Sequence, residues 1–357
     1  MDLIAREYGS EFWITDDIVD NSHENGYLLG INEIHLVNGR RCVSYLLDSI
    51  NNIPKRAVLP AYICDSVVEP FAERGFTTLF YDTNRKFEPD LNEIAALIDG
   101  KPSVFMHLGY FGFATNENIV GIEDLIEETG TITFEDRAHT LFTSLKHRIS
   151  DAEFASIRKW IGIPGGGIIN PISNIFCFEE IDNVFTMFSE RRLECLKMKA
   201  SYMETGEKKL RERYRIGFKE AEKLIEDDKS VYLLDDFSIG ISKRLNIKKL
   251  VERRRANFST LLEHLSQNNR FIPIFSDLPE NVCPMFFPIF ILDGNERDYL
   301  QKKFASKNLF CPIHWPRNNY VKSHLDGYEY IVDHILSIPC DQRYSDVDMN
   351  RIVEIVS

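Results

Sequence analysis

From about residue 36 to residue 180, short apolar stretches closed by turn residues alternate with stretches of helical spacing. This alternation constrains the fold more than any other feature of the chain. Arg56–Leu59 reads as a buried strand, closed by the loop at Pro60. Asp65–Arg74 has helical spacing, and Gly75 stands where a helix end accepts a left-handed residue. Phe76–Tyr81, Val104–Leu108 and Thr131–Glu135 read as further strands, with helices over Leu91–Ile98 and Ile122–Thr129 between them. Strand–helix alternation of this kind predicts an α/β fold with a mainly parallel sheet, covered by helices through right-handed crossovers.

The second half is patterned differently. Ser189–Lys229 is dense in Arg, Lys and Glu with Leu, Met and Tyr spaced through it, which predicts long exposed helices. A further helical run covers Ile247–Gln267. Beyond Cys283 come a strand-like PMFFPIFIL, a helix near Glu296–Lys307, a strand at Phe310–His314 and a last helix at Ser345–Val356. The expected division is an N-terminal arm at 1–30, a large domain at 31–245 and a smaller α+β C-terminal domain at 246–357. No repeat or low-complexity linker separates them, so close packing is expected.

Composition excludes several function classes. The formal net charge is −13, which argues against general nucleic-acid binding, because phosphates are met by clustered Lys and Arg. A local basic pocket for a small anion stays possible. No apolar run approaches the ~20 residues that span a bilayer. The start of the chain, MDLIAREYGSEFWITDD, lacks the basic and apolar stretches of a signal peptide. A cytoplasmic protein, with no membrane partner, is the expectation. The seven cysteines are scattered, with no CxxC or Cys/His cluster, so free thiols are expected and no metal site.

Four separated segments carry chemistry-bearing residues. Asn38-Gly39-Arg40-Arg41 precedes a helical pattern, and a helix N-terminus offers free N–H groups to a phosphate. An ordinary N-cap with surface arginines is the alternative. Leu59-Pro60-Ala61-Tyr62-Ile63-Cys64 follows a strand, at the edge where open α/β sheets bind ligands. Tyr62 could lie on a flat heteroaromatic ring there, or plug the core. Phe134-Glu135-Asp136-Arg137-Ala138-His139 puts a carboxylate at the sheet rim. It suits a pyridine nitrogen, or a turn cap; His139 suits a ligand, or a satisfied buried site. In Phe154-Ala155-Ser156-Ile157-Arg158-Lys159-Trp160, a lysine amine can condense with an aldehyde if desolvation or positive charge deprotonates it. Gly165-Gly166-Gly167 then allows close backbone approach. A surface Arg-Lys pair and a flexible hairpin are the alternative.

Taken in order and spacing, these segments resemble the DegT-type sugar aminotransferases, a group of fold-type I pyridoxal-phosphate-dependent enzymes. The resemblance rests on Asn38-Gly39-Arg40, Pro60-Ala61-Tyr62-Ile63-Cys64, Tyr81-Asp82, His107-Leu108-Gly109-Tyr110-Phe111-Gly112, Glu135-Asp136-Arg137-Ala138-His139, and Lys159 six residues before Gly165. It continues through Arg253-Arg254-Arg255-Ala256-Asn257-Phe258, Pro312-Ile313-His314-Trp315-Pro316 and Leu336-Ser337-Ile338-Pro339-Cys340, so it spans roughly residues 30 to 355. Three departures mark a divergent branch. Arg40 stands where the family often has Thr or Ser, Phe154 where many members have Ser, and Pro164 begins a glycine run that lacks the usual glutamate.

The resemblance implies a fold-type I aminotransferase with pyridoxal 5'-phosphate as cofactor. It implies Lys159 as the covalent anchor and proton carrier, and Asp136 as the partner of the ring nitrogen. Gly39, Arg40, Arg41, Tyr62, Cys64, His139 and Ser156 complete the expected cofactor site. His314 and Arg317, with Arg253–Arg255, are candidates for substrate contact. The implied partners are an amino donor, plausibly glutamate, a nucleotide-linked keto-sugar acceptor, and a second copy of the chain in a homodimer. Tyr8, Phe12 and Trp13 in the arm suit such an interface. The alternatives are another reaction on the same cofactor, or a non-catalytic binding or regulatory protein on this scaffold.

Overall fold

The computed structural model describes residues 7–15, 18–20 and 27–357. In chain order its strands are β1 (Tyr8–Gly9), β2 (Ile34–Leu36), β3 (Arg56–Pro60), β4 (Thr77–Tyr81), β5 (Val104–Leu108), β6 (Ile132–Asp136), β7 (Ala152–Ser156), β8 (Gly167–Pro171), β9 (Phe271–Pro273), β10 (Phe287–Ile291), β11 (Leu309–Phe310) and β12 (Ile335–Ile338). Its helices are α1 (Gly39–Asp48), α2 (Asp65–Glu73), α3 (Leu91–Ile98), α4 (Glu123–Thr129), α5 (Thr186–Thr205), α6 (Lys208–Asp227), α7 (Asp236–Lys243), α8 (Ile247–Leu265), α9 (Arg297–Ser306), α10 (Asp326–His334) and α11 (Asp346–Val356).

The large sheet has the order β2-β8-β7-β6-β5-β3-β4. β7, β6, β5, β3 and β4 are parallel, and β8 runs against both of its neighbours. β5 is buried along its whole length, as a parallel strand covered on both faces must be, which is why it reads as a continuous apolar run. Alternate residues serve opposite faces. Ala57, Leu59, Met106 and Phe134 meet Val43, Leu46, Val68 and Phe71 of α1 and α2. Val58 and Phe105 meet Ile94, Ile98 and Ile126 of α3 and α4.

β7 escapes a search for apolar runs because Glu153 interrupts it. That carboxylate is fully buried, and Arg137 (3.1 Å), Arg148 (3.3 Å) and the Asn170 amide (3.1 Å) meet it. Ion pairing and sheet context override the sequence pattern there. β8 needs Gly167: a Cβ at that position would stand 2.4 Å from the Asn38 carbonyl oxygen. α5 and α6, the long helices expected from the charged stretch, pack on each other through Cys195, Leu196, Tyr202, Tyr214 and Phe218. Gly217 permits the approach, since a Cβ there would lie 2.3 Å from the Cys195 sulfur.

The C-terminal part holds the antiparallel sheet β12-β10-β9. One apolar core joins it to α8, α9 and α11. The strand expected over Phe310–His314 stops at Phe310, and the following residues line a cavity. β11 pairs in parallel with β1, so the described part of the N-terminal arm packs on its own chain. Tyr8 lies against Tyr344, and Arg343 sits over the rings of Phe12 and Trp13 at 4.0 and 4.4 Å. Among the described residues, no helix is long and apolar enough to cross a membrane.

Candidate functional site

The strands β3, β6 and β7 end on the same side of the sheet, and each is followed by residues singled out in the sequence. β6 delivers Asp136, and the next residues turn sharply. The Asp136 Oδ1 accepts the Ala138 N–H at 2.8 Å, and Oδ2 has no hydrogen-bond partner among the described residues. The Ala138 carbonyl accepts the indole N–H of Trp160 at 2.8 Å. Trp160 is the neighbour of Lys159, so this bond ties the β6 turn to the segment after β7. Gln342 donates to the Trp160 carbonyl at 2.7 Å and fixes it from the C-terminal side.

Burial pushes the Asp136 carboxyl up, and the Lys159 ammonium and the Ala138 N–H pull it back. The same ammonium helps hold two imidazoles neutral. Burial, then Lys159 and His314, keep His139 well below its ordinary value. Burial, then Lys159, bring His314 down to about 3. Lys159, Asp136, His139 and His314 thus lie within electrostatic reach of one another, and the rings of His139 and His314 meet at 5.8 Å.

His139 Nδ1 accepts the Phe111 N–H at 3.4 Å. A neutral ring that accepts at Nδ1 carries its proton on Nε2, and that Nε2 is buried without a partner among the described residues. Trp315 stacks on the ring at 5.0 Å. An orphaned N–H donor here calls for a ligand acceptor.

α1 supplies a possible phosphate seat. Asn38 caps it by accepting the Arg41 N–H at 2.9 Å. The N–H groups of Gly39 and Arg40 meet no acceptor among the described residues. A Cβ on Gly39 would stand 3.5 Å from the Cβ of Ser156, the last residue of β7. A helix N-terminus and a hydroxyl thus adjoin at the end of the segment leading to Lys159. An amine, a carboxylate, an unpaired imidazole N–H and this seat fit pyridoxal phosphate.

A cavity of about 520 Å³ opens beside these groups, lined by Cys64, Lys159, His314 and Trp315 among others. The N-terminal segment Gly9–Phe12 forms part of its wall, as do Arg158, Arg254 and Arg343. The Lys159 Nζ lies 5.7 Å from the centre of the Trp315 ring.

Several expected residues are committed elsewhere. Tyr62 is buried in an aromatic cluster with Phe87, Tyr110 and Trp315, against the Trp315 ring that stacks on His139, while Cys64 faces the cavity. Arg41 is buried and donates to the carbonyls of Ile225 and Asp228, and the Arg40 side chain pairs with Glu69 at 3.2 Å. Their guanidinium groups are thus taken, and only backbone N–H remains at that helix start. Arg317 pairs with Glu329 and Asp333 at the surface. Arg253 pairs with Asp346 at 2.6 Å, and Arg255 caps carbonyls of the 278–282 loop. The sequence did not single out Trp315, Glu11 or Arg343 for this cavity. Trp315 stood inside the quoted Pro312–Pro316 motif, but Glu11 and Arg343 had no local signal, because tertiary packing alone brings them here.

Compared by sequence, the chain matches no family model and no curated protein. Compared by structure, it is similar to PseC of Helicobacter pylori, an aminotransferase involved in the biosynthesis of pseudoaminic acid, at a TM-score of 0.70 and 12% identity, with 98% of each chain covered. It is also similar to the aminotransferase TlmJ from Streptoalloteichus hindustanus (TM-score 0.66, 17% identity, 93% of this chain and 87% of that one). A third similar structure is 3-amino-5-hydroxybenzoic acid synthase (TM-score 0.65, 13% identity, 91% and 85% covered). The mainly parallel central sheet flanked by helices, with its small additional sheet, is thus the fold of these aminotransferases.

Proposed function

We propose that the chain is a pyridoxal-phosphate-dependent aminotransferase of the DegT type, moving an amino group from an amino acid such as glutamate to a keto sugar on a nucleotide carrier. The observation that carries this is the meeting of Lys159 and His139, whose N–H has no partner among the described residues, at the ring of Trp315 beside the cavity, with Asp136 within electrostatic reach of Lys159. The similarity to sugar aminotransferase structures supports it.

Pyridoxal phosphate, when bound, supplies an electron sink for negative charge at the substrate carbon. Lys159 would anchor it through Nζ. With the donor bound, the Lys159 Nζ would take up and return the proton at the donor's α-carbon. Asp136 would hold a proton on the ring nitrogen, which its buried carboxylate favours by charge. His139 Nε2–H would donate to an oxygen on the ring. Gly39, Arg40 and Ser156 would take the phosphate. Trp315 and the walls of the cavity would shield Nζ from water once the cavity is filled.

The test is a screen of nucleotide-linked keto sugars with L-glutamate as donor, following 2-oxoglutarate release. Turnover of at least one sugar is expected, and failure of every sugar in the presence of loaded cofactor would contradict the acceptor class. We infer further a cytoplasmic enzyme, which the free cysteines support, and a two-fold homodimer. Sedimentation at micromolar concentration checks the latter: a species of twice 41.5 kDa is expected, and an active monomer would rule out an obligate shared site.

A further inference from the structure

Glu11 stands on the N-terminal segment that walls the cavity beside Lys159. The rest of the chain holds this segment by its backbone and by Ser10. Gly9 donates its N–H to the Tyr344 hydroxyl at 2.6 Å. The Glu11 carbonyl accepts from Arg343 at 3.1 Å and from the buried Lys199, whose Nζ also donates to the Ser10 hydroxyl at 2.8 Å. The pairing of β1 with β11 adds to this hold. None of these bonds uses the Glu11 side chain.

That side chain lines the cavity and is 48% exposed. Its Oε2 meets Arg192 at 3.3 Å, and its Oε1 has no partner among the described residues. Arg192 does not depend on it, because Glu222 bridges Arg192 and Arg158. Enclosure raises the Glu11 carboxyl, and the charges of Arg192, Arg158 and Lys199 hold it below its ordinary value. The other acid of the wall, Asp341, has both oxygens taken by Arg343 at 2.7 and 2.8 Å. Glu11 is thus a fixed carboxylate with lone pairs to spare. Such a group turns away anions and accepts strongly from hydroxyl groups.

We propose that Glu11 is a specificity-determining residue that accepts a hydroxyl of the acceptor sugar, placing a neutral, polyhydroxylated ring on the N-terminal side of the cavity; this rests on the aminotransferase function proposed above. The bonds to Gly9, Ser10 and the Glu11 carbonyl set the segment before the ligand arrives, which lowers the ordering cost of binding.

The test is calorimetric titration of UDP-glucose, dTDP-glucose and GDP-mannose into protein incubated with pyridoxal phosphate. These probes carry sugar hydroxyls but no ketone, and each is compared with its own nucleoside diphosphate. At least one should bind wild type more tightly than its diphosphate does. Glu11→Ala should remove most of that advantage, a weakening of about 10-fold or more, the range for a charge-assisted hydrogen bond left unmade. The diphosphate alone should bind the variant no more weakly than wild type. The alanine variant should fold, because the segment is held through its backbone and Arg192 keeps Glu222. If it does not melt cooperatively, Glu11→Gln takes its place, with a weakening of about 3-fold or more expected, since a neutral acceptor is roughly half as strong. A sugar advantage equal to wild type in the folded variant overturns the proposal. So does a wild type that binds no nucleotide sugar better than its diphosphate, or an equal loss of sugar and diphosphate, which marks a structural role. Failure of the cofactor to attach, read separately by absorbance, would sink the aminotransferase function, while a Glu11-dependent preference for the sugar would survive it.

Discussion

Lys159→Ala protein should fold, retain the phosphate seat, and lose both covalent cofactor attachment and transamination. The expected fall in kcat is roughly 10³-fold or more, since positioned proton transfer alone is worth about 10²- to 10⁴-fold. The fold should survive because Lys159 is half-buried and has no hydrogen bond or ion pair among the described residues, while Trp160 carries the local structure through Ala138 and Gln342. Cooperative melting and equilibrium binding of the cofactor separate the two effects. Removing the ammonium also frees His139 and His314 from one of the charges that holds them neutral. Their titration by NMR should therefore move upward in the variant. Unchanged turnover would show that another group carries the proton.

Asp136→Asn should split stability from catalysis. With the cofactor bound, the amide cannot hold the ring-nitrogen proton by charge. A charge-assisted hydrogen bond of about 1.5–3 kcal/mol is lost, which lowers kcat roughly 10- to 100-fold. In the cofactor-free protein the sign reverses. Burial raises the folded-state value of Asp136 above its unfolded one. Such a group favours the fold fully below the unfolded value and loses that contribution as pH rises through the folded value. At neutral pH the bare carboxylate is therefore a cost, only partly offset by Lys159 and the Ala138 N–H. The Asn variant without cofactor should melt no lower than wild type at pH 7 and relatively worse in acid. A lower melting temperature at pH 7 would show that Asp136 is a structural carboxylate rather than one kept for a ligand.

Much of this was legible in the residues, for identifiable reasons. β3, β5 and β6 are buried on both faces, so their apolar runs announce them. α2 and α3 keep helical periodicity against the sheet. β7 was not legible, because its buried glutamate is satisfied by Arg137, Arg148 and Asn170, which only the folded chain brings to it. α7 and α10, both short, also went unpredicted. Within the site, Lys159, Asp136 and His139 follow strand ends, where topology places ligands. Tyr62 and Arg41 carried the right residue types for cofactor contact, but the neighbours that hold each side chain were not legible. The apolar cluster of Phe87, Tyr110 and Trp315 claims Tyr62, and two backbone carbonyls near the end of α6 claim Arg41. Side-chain commitment of this kind depends on neighbours that only the folded chain assembles. The same holds for Arg254, one of three adjacent arginines that the sequence cannot tell apart: Arg253 faces solvent, Arg255 caps a loop, and Arg254 alone is buried at the cavity.

The most direct measurement is borohydride reduction of the cofactor-loaded protein, followed by proteolysis and mass mapping of the modified lysine. Lys159 is expected as the sole modified residue, with the cofactor's visible absorbance lost on reduction. Stable attachment at a different lysine, or none while the phosphate seat is filled, would contradict the assignment of this site.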